Sequence, residues 1–355
     1  MPELIVTNLN RHFTGVSATA AAVLRWQAER YDLALAGHPL PGCPAPIPLR
    51  AAIAASRRPP PGRAVTLWHV RRNPEMRAAL FARDVLRLPV RIIFTSAAIR
   101  RHSALPRWLI GRMDAVIATS EAAAAWVPHV RAVVPHGVDT GRFVPAADRA
   151  AAWAATGWPG RAGIATIGRI RAEKGTDRFV AAMLRVLPAH PGLTALVIGR
   201  AARADRPFLA RLKAEIAAAG LAGRILFPGE IAPEALPALM RALSLVVQLP
   251  RYEGYGMVPL EAMASGVPFV ATDQGHYRAF AAAGRAGVIV PEQDGDLAAP
   301  QGPARQAAEA IAALLGDAER HAAMARAARE LACARFSVAR EGEGIAAVYE
   351  QLWAG

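Results

Sequence analysis

Two segments in the second half of the sequence combine residue types that could do chemistry with a spacing that would aim them at one ligand. The first, residues 168–175, reads Gly-Arg-Ile-Arg-Ala-Glu-Lys-Gly and lies directly after an apolar run and directly before a helical pattern. A strand-to-helix junction presents backbone N–H groups and the positive end of a helix dipole, which suits an anion. Arg169 adds a planar fork for phosphate oxygens and Lys174 a compact point charge, so Gly168 and its neighbours are predicted to hold a diphosphate. Lysine is scarce in this chain: there are two, Lys174 and Lys213, against forty arginines. A lysine kept in this loop is therefore a better functional candidate than an ordinary surface cation.

The second segment, residues 252–268, carries Glu253 and Glu261 eight positions apart. Gly254 and Gly256 permit a tight loop before a helix predicted to start near Met257 and to end at Gly266. Eight residues is a little over two helical turns. Glu253 should then sit in the loop and Glu261 on the helix body, so the two carboxylates could grip different parts of one elongated ligand. Glu261 lies in the frame Met257-Val258-Pro259-Leu260-Glu261-Ala262-Met263-Ala264, where an unpaired charge is costly.

These loops need strands to position them. Short apolar runs alternate with amphipathic stretches, which predicts α/β architecture with parallel sheets covered on both faces. Strands are expected at residues 4–7, 31–36, 64–70, 91–95, 115–119 and 131–135, then at 163–168, 194–199, 224–228, 245–249 and 268–272. Helices are expected at 16–30, 73–86, 176–187, 207–219 and 233–242, with three more in 304–353. Pro145, Gly157, Pro159 and Gly160 interrupt residues 140–160 as a linker would, which places the boundary of two doubly wound domains near residue 157. The expected domains are 1–157 and 158–337, with the last helix, about 338–355, packing back on the first. Ligands of open α/β sheets bind beyond the carboxyl ends of strands, so two such domains are expected to face a cleft.

The chain has 355 residues, enough for two cores, and a formal net charge of +14. Residues 1–145 hold nineteen arginines against eight acidic residues, an excess of +11, and the remainder has an excess of +3. A field of that sign favours an anionic partner. No run of 18 or more apolar residues is free of charge or proline, so no spanning helix is expected. The start, Met1-Pro2-Glu3, has no basic region or cleavage site of a signal peptide, and a cytoplasmic location is expected. Cys43 and Cys333 match no metal or redox spacing and read as free thiols.

The run from Tyr252 to Gly275 resembles the glutamate-x7-glutamate signature of family 4 retaining glycosyltransferases of the GT-B fold. Gly168-Arg169 with Glu173-Lys174-Gly175 resembles that family's phosphate loop, and Pro135-His136-Gly137-Val138-Asp139 its Asn-Gly-Val-Asp segment, with histidine for asparagine. The resemblance implies two Rossmann-like domains, the first binding acceptor and the second a sugar-nucleotide donor. It implies that Arg169 and Lys174 stabilise the departing diphosphate and that Glu253 contacts the donor sugar. Glu261 would accept hydrogen bonds from ribose hydroxyls, the amides near Tyr255-Gly256-Met257 would meet phosphate, and Gly254 and Val258 would also belong to the donor site. Glu230, in Pro228-Gly229-Glu230-Ile231, belongs to the loop that would hold the base. The anomeric configuration would be retained with no metal, no cofactor and no assigned nucleophile.

In the first domain Gly15 follows the first strand, as does the glycine loop of similar enzymes, with one glycine where many relatives have two. His69 ends the third strand and is a candidate catalytic hydrogen-bonding group. Ser96 replaces a histidine common among relatives, and Ala279 stands where they commonly have glutamate. Asp294-Gly295-Asp296 could be mistaken for a metal-binding pair and reads better as a turn. Arg71 and Arg72, with Arg100, Arg101 and His102, follow first-domain strands and are expected to crowd the acceptor. These segments are similar to the lipopolysaccharide core mannosyltransferases of alpha-proteobacteria. That implies transfer of mannose from GDP-mannose to the inner core, an anionic glycolipid acceptor, at the cytoplasmic leaflet of the inner membrane. UDP- or ADP-sugars with another glycan or lipid acceptor remain open, as does a sugar-nucleotide epimerase. A basic nucleic-acid-binding protein would leave Glu253 and Glu261 unexplained, since carboxylates repel phosphates, and no nucleic-acid partner is expected.

Overall fold

A computed structural model describes residues 1–292 and 302–354. The turn expected at Asp294-Gly295-Asp296 lies outside the described residues. The chain forms two compact units, Met1–Val138 with Phe336–Gly355, and Asp139–Arg335.

The first unit is built on six parallel strands: β1 (Leu4–Asn8), β2 (Leu33–Gly37), β3 (Thr66–Val70), β4 (Val90–Ser96), β5 (Ala115–Ala118) and β6 (Val130–Val133), in the order β2-β1-β3-β4-β5-β6. Alternation along each strand divides its apolar residues between two cores. Leu4, Val6, Leu67, Ile93 and Ile117 pack on one face with Ile345, Val348, Tyr349 and Leu352 of the helix Val338–Ala354. Ile5, Trp68, Val70, Ile92, Phe94 and Val116 pack on the other with Met76 and Leu80 of the helix Asn73–Leu80.

The second unit repeats the plan with β7 (Ala162–Ile167), β8 (Leu193–Ile198), β9 (Ile225–Gly229), β10 (Leu245–Gln248), β11 (Phe269–Thr272) and β12 (Gly287–Val290), in the order β12-β11-β10-β7-β8-β9. From β7 the chain first adds strands on one side and then, with β10, on the other. The crevice beyond the carboxyl ends of β7 and β10 is therefore a topological switch point, where such sheets bind ligands. In the first unit the corresponding point lies between β1 and β3.

The expected boundary near residue 157 is corrected to Val138/Asp139. The segment read as a linker contains the helix Arg149–Ala154, whose Trp153 is 1% exposed and lies over Gly163 of β7. Burial of that indole fixes the segment to the second unit. The shift also moves charge, leaving a net +9 on the first unit and +5 on the second. The expected helix at 73–86 is an α-helix only over Asn73–Leu80 and continues as a π-turn, Phe81–Val85. Both cysteines are free. Among the described residues no helix is long and apolar enough to cross a membrane.

Candidate active site

At the β7/β10 switch point the loop after β7 and the loop after β10 are fastened together. Arg251 N–H donates to the Glu173 carbonyl at 2.8 Å, and its guanidinium forks onto Asp177 at 2.9 and 2.8 Å, in the first turn of the helix Thr176–Val186. Gly175 closes the junction with φ +70°, and a Cβ there would lie 1.8 Å from the Leu249 carbonyl oxygen. We expect Gly175→Ala to destabilise the second unit by about 3 kcal/mol, through left-handed strain and overpacking together. Denaturant titration would show it; an unchanged midpoint would mean that the two loops are not held this closely.

Within this frame Lys174 Nζ lies 3.0 Å from Glu253 Oε2, while Glu253 Oε1 accepts from Gly254 N–H at 2.9 Å. Both side chains keep about a quarter of their surface, at 22% and 24%. Arg169, on the same loop, is exposed and has no side-chain partner among the described residues. Gly168 before it is exposed, with open space where a side chain would project.

Gly256, at φ +95°, starts the helix Met257–Ala264, and a Cβ there would meet the Tyr277 ring at 2.0 Å. Tyr255 is buried and stacks on His276, ring centroids 5.0 Å apart, with Phe280 edge-on to both. This aromatic stack sets the loop on which Glu253 and Gly254 ride. Met257 and Val258 are half-buried in the first helical turn. Glu261 projects from the same helix with no hydrogen-bond partner among the described residues. Although the residue keeps partial exposure, desolvation pushes its carboxyl up to about 8, with Arg142 pulling the other way. A desolvated carboxyl without a partner is a ready acceptor for ligand hydroxyls.

The structure thus brings Lys174 and Glu253 into contact across two adjoining loops, with Arg169 exposed on the first loop and Glu261 on the helix that follows the second. Glu230 is exposed beyond β9, 3.8 Å from Arg200 after β8. Ala279 is exposed on the helix Tyr277–Ala281, and its neighbour Arg278 pairs with Asp273. Arg251, Asp177, Tyr255 and His276 position the site, and of these the sequence reading named only Tyr255. The one signal for Arg251 was its place directly before Tyr252-Glu253. Among the described residues no group of three His, Cys, Asp or Glu side chains is arranged to hold a metal ion.

In the first unit the expected acceptor and catalytic residues separate. His69 is fully buried, its Nδ1 2.5 Å from the Tyr349 hydroxyl and its Nε2 2.7 Å from Thr95 Oγ1, so neither nitrogen is left for a substrate. Burial, then the charges of Arg71 and His136, hold its pKa well below the usual imidazole range. The catalytic expectation for His69 is corrected to a neutral structural role. Arg72 is likewise engaged, donating to Asn8 Oδ1, Glu75 Oε1, Thr14 Oγ1 and Ser17 Oγ at 2.9–3.1 Å. It braces the loop after β1, in which Gly15, exposed with open space beside it, begins the helix Gly15–Ala28. Arg100 and Arg101 are exposed, and His102 is half-buried with Nε2 enclosed and unpartnered. Arg71 is buried.

Residues 154–331 match the family model described as glycosyl transferases group 1. The chain belongs to the group 1 glycosyl transferases. It is 40% identical over 354 residues to the lipopolysaccharide core biosynthesis mannosyltransferase LpsB of Rhizobium meliloti, covering 99% of this chain and 97% of that protein. It is 39% identical over 353 residues to the lipopolysaccharide core biosynthesis mannosyltransferase LpcC of Rhizobium leguminosarum bv. viciae, covering 99% and 96%. Among solved structures it is similar to Anabaena HepE in complex with UDP and glucose, with a TM-score of 0.81 at 17% identity over 98% of this chain and 99% of that one. That likeness concerns the fold, which is GT-B. This glycosyltransferase therefore carries its family signature on the second unit, where Lys174 and Glu253 meet.

Proposed function

We propose that this enzyme transfers a hexosyl group with retention, most simply mannose from GDP-mannose, onto the inner core of lipopolysaccharide at the cytoplasmic face of the inner membrane. The observation that carries the reading is the contact of Lys174 with Glu253 at the β7/β10 switch point. The diphosphate lies on the loop of Arg169 and Lys174, whose charges stabilise the leaving group as it gains charge. Glu253 faces the donor sugar and Glu261 the ribose hydroxyls. No metal takes part. The naming of the two Rhizobium relatives as lipopolysaccharide core mannosyltransferases supports the sugar and the pathway.

The surface of the first unit supports the leaflet. All the large hydrophobic side chains that are exposed among the described residues belong to it. Phe81, Val85 and Leu86 are tied by the Arg83–Asp114 and Arg112–Asp84 ion pairs to the segment that carries exposed Leu105 and Trp108. Apolar side chains among arginines suit an anionic lipid surface. A panel of GDP-, UDP- and ADP-sugars tests the donor: GDP-mannose is expected to raise the melting temperature most, by linkage. Equal stabilisation by UDP-sugars, or transfer from them to a core acceptor at the same rate, would overturn the donor assignment.

A further inference from the structure

Arg71 differs from the other arginines of the first unit. It follows β3, is 8% exposed, and its Nε and Nη1 are enclosed with no hydrogen-bond partner among the described residues. Thr119, directly after β5, is 0% exposed, with its hydroxyl likewise unpartnered. The ladders place the two at the same end of the sheet. Val70 pairs with Phe94, and Ser96 with Ala118, so Arg71 is level with Thr95 and Thr119 lies just beyond, two strands away. By alternation, Arg71, Thr95 and Thr119 lie on the face that carries Leu67, Ile93 and Ile117, toward the helix Val338–Ala354. Two strand spacings and two residues of rise separate their backbones by about 12 Å, a gap that a long arginine side chain pointing along the sheet can narrow.

The charged and titratable groups facing this guanidinium are already committed elsewhere. Glu341 is 2% exposed, with Oε1 2.7 Å from His136 Nδ1 and Oε2 taking the Gly137 N–H at 2.8 Å. Glu75 accepts from the backbone N–H groups of Leu9, Arg71 and Arg72 and from the Arg72 side chain. Tyr349 is taken by His69 and Gln27. A buried guanidinium with two idle nitrogens is unfavourable unless an anion completes it, and a planar fork fits a carboxylate or a phosphate best.

We propose that Arg71 and Thr119 form a recessed receptor for one anionic group, a carboxylate or a phosphate, carried by the acceptor sugar. This rests on the glycosyltransferase reading above and deepens it. The exposed Arg100 and Arg101 then contribute a general field, whereas Arg71 recognises one charge and sets which acidic sugar is glycosylated.

The test uses the full chain with glucuronate, glucose 6-phosphate and neutral glucose as probes, measured by calorimetric titration and thermal shift. GDP, UDP and ADP serve as separate ligands of the second unit. One of the two anionic sugars should bind and glucose should not, and which of them binds identifies carboxylate or phosphate. Arg71→Gln should weaken that binding about tenfold or more, leave nucleotide binding unchanged, and melt no lower than the original protein because an unpaired buried charge is gone. Arg71→Lys, which keeps the charge and loses the fork, should fall between. The proposal is overturned if neither anion outbinds glucose, if Arg71→Gln binds it undiminished, or if Arg71→Gln melts far lower, since that would make Arg71 a structural strut. Nucleotide binding without anion binding would leave the donor reading intact. Anion binding that follows Arg71 without any nucleotide binding would leave the receptor intact and remove the donor reading.

Discussion

Glu261→Gln is expected to make the protein melt higher near pH 9 and, in the same variant, to remove most of the stabilisation given by nucleotide. The folded-state carboxyl titrates at about 8 because of desolvation, against 4.5 for a free side chain. Between those values the folded protein holds a proton that the unfolded chain releases, so this group's contribution to stability is full below about 4.5 and is lost as pH rises through about 8. Allowing for its partial exposure, the ionised carboxylate costs the fold on the order of 3 kcal/mol above that range. A neutral amide of the same shape avoids that penalty.

The same proton couples to ligand. A carboxylate that accepts two ribose hydroxyls must be ionised, so at pH 7 nucleotide binding should release close to one proton, and affinity should rise toward pH 8 and then level off. Calorimetry in buffers of different ionisation enthalpy reads the proton directly. A wild-type protein that binds nucleotide with no proton release would remove Glu261 from the ribose contact. An amide variant that melts lower at high pH would contradict its desolvation.

Glu261 also shows what the sequence made legible. Its apolar frame, Met257 to Ala264, was enough to mark it as a strained charge, because burial of one helix face is a local property of spacing. The strands were legible for the same reason: uninterrupted apolar runs such as Leu4-Ile5-Val6 belong to parallel sheets covered on both faces. The edge strand β12, Gly287–Val290, escaped notice because its apolar run is only Val288-Ile289-Val290, opened by a glycine and closed by Pro291. His69 was misread because what buries it is Tyr349, 280 residues later, on a helix that returns to the first sheet. The domain boundary failed similarly: Pro145, Gly157 and Pro159 look like linker residues, yet Trp153 between them is a core side chain. Arg71 and Arg72 are adjacent and chemically identical, but alternation sends one into the sheet's buried end and the other onto the β1 loop. No property of the pair Arg-Arg in sequence distinguishes them.

Lys174 and Glu253 pose the sharper test, because in this structure each is the other's partner across 79 residues. A diphosphate arriving at Lys174 competes with the Glu253 carboxylate for the same ammonium and is repelled by it. Removing the cation and removing the carboxylate should therefore act in opposite directions on nucleotide affinity. Lys174→Ala loses a charge-assisted hydrogen bond of roughly 1.5–3 kcal/mol, so GDP binding should weaken about 10- to 100-fold, with turnover falling at least as far. Glu253→Gln should bind GDP as tightly as the original protein or a few-fold tighter, since the competitor is gone, while turnover drops about 100-fold because the donor sugar has lost its carboxylate contact. In the double variant the gain from Glu253→Gln should vanish, because there is no ammonium left to free. The coupling energy from the four proteins, measured on GDP binding, isolates this exchange. Additive effects would show that the ion pair is incidental to the ligand. Weaker GDP binding in Glu253→Gln would place that carboxylate on the nucleotide rather than on the sugar.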